Sequence, residues 1–214
     1  MANPNAIEGM ARYGITPTQT FGVSIPNLRA LAKEIGNDHT LAQQLWRKNN
    51  RETRILASMI EEVAKVNETQ LDAWVKCFEC WEICDQCCMN LFEKTPWAYQ
   101  KARQWSRKKE EFVRRAGFVM MARLAVSDKQ AEDRRFEPFF PLMIQYSTDE
   151  RNYVKKAVNW ALRQIGKRNI RLHRRAIQVA KEIRQIDSTA ARWIAADALR
   201  ELLNPKMKQR LAGK

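Results

Sequence analysis

Two stretches 41 residues apart carry one local pattern, Phe112-Val113-Arg114-Arg115-Ala116-Gly117 and Tyr153-Val154-Lys155-Lys156-Ala157-Val158. Each reads as an aromatic residue, a β-branched residue, two cations and two small or apolar residues. The apolar-small part returns about 40 residues later as Trp193-Ile194-Ala195-Ala196. A period of ~40–47 residues made of helix pairs marks HEAT or armadillo units. A single unit cannot bury its apolar face, so neighbours must stack. The expected fold is all-α, an α-α superhelix of HEAT-like helical repeats curved into a solenoid with a basic concave face; the alternative reading of the period is a coincidental similarity between two amphipathic helices.

The rest of the chain agrees with helices throughout. Seven Gly and seven Pro are few for 214 residues, and half of them fall in the first 40. Helical patterns are predicted at 28–35, 40–48, 52–63, 68–78, 81–94, 96–106, 110–125, 136–147, 150–166, 170–184 and 188–203. Breaks fall at Gly36-Asn37-Asp38, Lys94-Thr95-Pro96, Ser127-Asp128-Lys129, Gly166-Lys167-Arg168-Asn169 and Asn204-Pro205. Ser24 is placed to cap a helix with Pro26 in its first turn. The length suits one domain over 1–214, with residues 1–25 as a lead-in and 205–214 as a basic C-terminal tail.

The formal charge is +14, and it is unevenly spread. Residues 1–100 carry 10 basic and 12 acidic groups, 101–125 carry 8 and 2, 126–150 carry 3 and 6, and 151–214 carry 17 and 4. A basic surface concentrated in this way gains affinity for nucleic acid by releasing counterions condensed on the phosphates. No apolar run approaches the ~20 residues of a membrane span, and Met1 to Tyr13 lacks a signal-peptide pattern. The expectation is a cytoplasmic, nucleoid-associated monomer without a membrane partner.

All five cysteines, Cys77, Cys80, Cys84, Cys87 and Cys88, lie within twelve consecutive residues. The pairs Cys77/Cys80 and Cys84/Cys87 invite a zinc or iron–sulfur reading. Taken as one helix, however, the five fall within an arc of about 100°. One straight stripe cannot surround a tetrahedral ion unless the helix breaks between Cys80 and Cys84. Reduced cysteines serve equally as small apolar core residues, so no metal and no cofactor is expected. On the same wheel Trp81 and Asp85 sit about 40° apart, one turn along. A carboxylate beside an aromatic face can serve an electron-poor sugar as a glycosidic bond breaks. The pair is equally compatible with a half-buried Trp beside a surface Asp.

Trp81-Glu82-Ile83-Cys84-Asp85 resembles the Trp-Asp-x-x-Asp stretch of the HEAT-like DNA alkylation repair glycosylases. Phe112-Val113-Arg114-Arg115-Ala116 and Val154 to Arg163 resemble later landmarks of that family, in the same order. Phe21-Gly22-Val23-Ser24-Ile25-Pro26, followed by Leu28-Arg29, fits its opening. The resemblance spans roughly 20 to 200. It implies an enzyme that hydrolyses the N-glycosidic bond of positively charged N3- or N7-alkylated purines in duplex DNA, without inserting the base into a pocket. By the same resemblance Asp85 is the catalytic carboxylate, Trp81 and Trp160 pack on the lesion's sugar, and Arg115 holds a phosphate. Arg163, Arg114, Lys155 and Lys156 are further DNA-binding candidates. Glu82 departs from the family pattern, which has Asp there. The competing readings are a non-enzymatic HEAT-like module binding DNA or an acidic protein, and a metal or redox site at the cysteines.

Overall fold

The computed structural model describes residues 3–212, and the described secondary structure is helical throughout. The chain divides into two compact units, Met1–Trp97 and Ala98–Lys214. The N-terminal unit holds α1 (Pro4–Arg12), α2 (Ile25–Ile35), α3 (His39–Arg47), α4 (Arg51–Ile60), α5 (Glu68–Val75) and α6 (Trp81–Asn90). The C-terminal unit holds α7 (Ala98–Ser106), α8 (Glu111–Ser127), α9 (Phe140–Gln145), α10 (Asn152–Gly166), α11 (Ile170–Arg184), α12 (Thr189–Leu202) and α13 (Pro205–Ala212).

Local chemistry explains where the helices begin. Ser24 accepts from the Asn27 N–H, Asp38 from Leu41, Asn67 from Gln70, Asn169 from Leu172 and Ser188 from Ala191. Each side chain satisfies one of the amide donors that a helix start leaves unpaired. The predicted lead-in contains a helix, α1, and the predicted tail folds as α13. The single helix expected over 136–147 is instead a short 3₁₀ turn, Glu137–Phe139, followed by the six-residue α9. Pro138 and Pro141 each open a turn, because proline lacks the N–H that a continuous helix would need there.

The core of the N-terminal unit contains a cluster of four buried aromatics, Trp46, Trp74, Phe78 and Phe92. Trp46 of α3 stacks on Trp74 of α5 with ring centroids 3.9 Å apart and planes 2° from parallel. Phe78 meets Trp46 edge-on and lies 5.9 Å from Phe92. To place Phe78 there the chain leaves the helical path after α5, and Arg54 donates to the freed Cys77 carbonyl at 2.8 Å. This overturns the picture of five cysteines on one helical stripe. Cys77 lies in the turn, Cys80 precedes α6, and Cys84, Cys87 and Cys88 lie on α6. Cys80, Cys84, Cys87 and Cys88 are buried, and none of the five cysteines forms a disulfide. Burial pushes the Cys80 thiol up to about 11 and raises Cys87 and Cys88 further, so these groups stay protonated and unreactive. Among the described residues no three His, Cys, Asp or Glu side chains converge as metal ligands.

The C-terminal unit is built from helix pairs, α7/α8, α9/α10 and α11/α12, with α8, α10 and α12 packed side by side. Phe112 and Tyr153, the equivalent aromatics of the repeated signature, face each other with centroids 5.6 Å apart. Arg168 ties the connection after α8 in place. It donates to the carbonyls of Ala125, Asp128 and Ala131 at 2.8–2.9 Å and lies 4.2 Å over the Phe136 ring. Among the described residues no helix is long and apolar enough to cross a membrane.

Gly117 occupies the signature position at which α10 has Val158, and the packing of α7 on α8 depends on it. A β-carbon at 117 would stand 2.2 Å from the Ser106 amide nitrogen and 2.9 Å from the Ala102 carbonyl oxygen. Backbone cannot yield as a side-chain tip can, so Gly117→Ala must push the helices apart. It is expected to cost about 2–3 kcal/mol, read as a lowered midpoint in urea unfolding. Gly9→Ala, where a β-carbon meets nothing within 4 Å, should be neutral or slightly stabilising.

Candidate functional site

The candidate carboxylate lies in the first half of α6. Trp81 is the first residue of that helix and Asp85 follows one turn later, so both project from one side of its N-terminal end. Both are part-buried. The Trp81 indole N–H donates to the Tyr13 carbonyl at 3.0 Å, which fixes the ring against the segment between α1 and α2.

Glu82, the departure from the family pattern, points the other way. Its carboxylate accepts from Arg51 Nε at 2.6 Å. The same guanidinium donates through Nη1 to the Val23 carbonyl at 2.9 Å and to Glu52 at 2.7 Å. Glu52 in turn accepts from the Phe21 and Val23 N–H groups and from the Thr20 hydroxyl. Arg51 and Glu52 side chains are 3% and 4% exposed, so their charges are tolerable only because each is matched. This network sews the Phe21-Gly22-Val23 segment to the starts of α4 and α6. Neither Arg51 nor Glu52 stood out in the sequence, because two charges at the start of a helix read as solvent-exposed. The one available hint was their place directly after the capping Asn50.

The remaining candidates lie in the C-terminal unit. Arg114 donates to Asp149 at 2.7 Å and lies 4.4 Å over the Tyr146 ring. Arg115 is 6% exposed and donates through Nη1 to the Tyr153 carbonyl at 2.7 Å. Lys155 is part-buried with its ammonium 5.4 Å from the Trp193 ring centroid, and Lys156 is exposed. Trp160 is part-buried, and its indole N–H reaches the Gln164 side-chain oxygen at 3.0 Å in the amide orientation that also serves Lys167. Arg163 pairs with Glu201 and lies 3.7 Å from Asp197. The structure thus brings Lys155, Lys156, Trp160 and Arg163 together along α10, and Arg114 and Arg115 along α8. The unit carrying them has 28 Lys and Arg against 12 Asp and Glu, whereas the unit carrying Asp85 has 10 against 12.

Burial would raise the Glu52 carboxyl, but hydrogen bonds from Phe21, Thr20 and Arg51 outweigh it and leave the group below its ordinary value of 4.5. Asp149 and Glu201 are lowered in the same way: burial opposes, and Arg151 with Arg114, and Lys167 with Arg163, prevail. A carboxyl held lower in the folded chain than in the unfolded chain stabilises the fold above its unfolded value. That contribution disappears as pH falls through the folded value. Melting temperature is therefore expected to drop progressively below about pH 4.5. Glu52→Gln should lower the melting temperature at pH 7 and make its acid dependence shallower.

The sequence profile of the DNA alkylation repair enzyme family matches residues 1–202. No curated protein sequence matches the chain. Among solved structures, one described as "a new family of proteins related to the HEAT-like repeat DNA glycosylases with affinity for branched DNA structures" is similar with a TM-score of 0.76. It shares 18% sequence identity, over 94% of this chain and 91% of that one. A designed armadillo repeat protein in complex with the peptide (KR)4 is similar at a TM-score of 0.37 and 15% identity, over 87% of this chain and 79% of that one. With a profile match that runs from the first residue to the end of α12, and a HEAT-like fold to go with it, the chain belongs to the DNA alkylation repair enzyme family.

Proposed function

We propose that the protein is a DNA glycosylase that hydrolyses the N-glycosidic bond of N3- or N7-alkylated purines in duplex DNA. The observation that carries this reading is the retention of Asp85 one turn after a Trp81 whose ring is held by the Tyr13 carbonyl. An alkylated purine of this class carries a formal positive charge and leaves without protonation by a strong general acid. The protein has only to offset the positive charge that develops at C1′ and to orient water. A fixed carboxylate serves both ends, because a preorganised charge stabilises the transition state without reorganising. The Trp81 face favours the polarised sugar. Lys155 and Lys156 hold phosphates, with Arg114, Arg115 and Arg163 shaping the surface around them. In this reading the protein works as a cytoplasmic, nucleoid-associated monomer without a cofactor.

A second reading, binding without excision, is favoured by one specific observation. Arg115 and Arg163, expected at phosphates, are engaged within the protein, by the Tyr153 carbonyl and by Glu201. The structural relative described as having affinity for branched DNA gives that reading a concrete form.

Incubation with duplex DNA carrying a single N7-methylguanine, followed by measurement of the released free base, separates the two. The glycosylase reading predicts release by the wild type and a loss on the order of a hundredfold or more for Asp85→Asn, with DNA affinity retained. Tight binding without release by the wild type would establish the second reading instead. Under either reading affinity falls steeply with salt, and Lys156→Ala lowers the slope of log affinity against log salt by roughly one. Salt-independent affinity would overturn the electrostatic account.

A further inference from the structure

Helices α10 and α12 face each other along a row of bridges. Asn159 donates to Asp197 at 2.6 Å, Arg163 pairs with Glu201, and Lys167 reaches Glu201 at 2.6 Å. In each of these a carboxylate of α12 answers a donor on α10 or at its C-terminal cap. At the first position of the row the pattern changes. Lys155 faces Trp193, one turn before Asp197, and the indole is 39% exposed, the most open of the seven tryptophans.

The five acidic groups between residues 150 and 214 each have another partner. Glu150 accepts from the Ser188 hydroxyl and the Ala190 N–H at the start of α12. Asp187 pairs with Arg192, Glu182 with Arg175, and Asp197 and Glu201 serve the rest of the row. No carboxylate pairs with Lys155 or with the exposed Lys156 among the described residues. An exposed aromatic plane has therefore been placed where the neighbouring positions carry charge-matching carboxylates, beside cations that lack a counter-charge. Leaving such a ring in water forgoes burial that any smaller polar residue would not require, so its surface suits a planar, anion-bearing ligand.

Resting on the reading of the protein as a DNA binder, we propose that Trp193 is a stacking platform for one unstacked nucleobase of a single-stranded DNA segment. Lys155 and Lys156 take the phosphates on either side of it. The base must be unstacked because a paired base in a duplex has no free face to offer, whereas every base of a single strand does. The cations alone would hold any strand; the indole selects for interrupted pairing.

The test compares a blunt duplex with the same duplex carrying a single-stranded flap, each titrated with the full chain by fluorescence anisotropy. Trp193→Ala should weaken binding of the flapped DNA about tenfold and leave blunt-duplex affinity unchanged. Trp193→Phe, which keeps a stacking face, should restore most of the loss. Matching melting temperatures for the variants exclude misfolding, since the ring is exposed. Equal losses on both DNAs, or no loss on either, would overturn the platform while leaving DNA binding intact. Failure of the wild type to bind either DNA would overturn the DNA-binding reading, and the platform with it.

Discussion

A pair of helices buries one face of each member within the pair and leaves the other faces exposed, so every pair here depends on the stacking of its neighbour. In the C-terminal unit that dependence is met by α8, α10 and α12 lying side by side. Ala116, Ala157 and Ala195 are each no more than 1% exposed, and the small side chains allow the close approach. Such an arrangement covers the apolar faces of these helices almost wholly, although some cations, Arg115 among them, are drawn in between helices and matched there.

Charge is handled differently in the two units. In the N-terminal unit the important charges are inside: Arg51 between Glu52 and Glu82 anchors the segment that also presents the Tyr13 carbonyl to Trp81. Removing one member of such a buried set leaves another uncompensated, so the network maintains geometry rather than adding much net stability. In the C-terminal unit the excess is on the surface. There the carboxylates of α12 decide which cations of α10 are matched internally and which remain available to an outside polyanion.

The family motif in α6 separates accordingly into two roles. Asp85, the motif's second acidic position, stands with Trp81 at the candidate site. Glu82, the first, is buried with Arg51. The longer Glu arm spans the distance to Arg51 Nε at 2.6 Å, which gives the Asp-to-Glu departure a structural use and engages this carboxylate within the protein.

The amino-acid sequence by itself determined the helical fold and its period, because capping residues, scarce Gly and Pro, and a signature repeated after 41 residues are all local or periodic signals. It also located the basic charge and singled out Trp81 and Asp85, since their one-turn spacing follows from helix geometry alone. Only the tertiary structure decided which charges are matched. Arg163 and Lys155 look alike in a string of letters, yet one is paired with Glu201 and the other faces an indole. Burial of Arg51 and Glu52, the turn that breaks the cysteine stripe, and the clearance required at Gly117 likewise depend on partners 11 to 32 residues away. No window of sequence contains both sides of such a contact, which is why these features became visible only when the helices were packed.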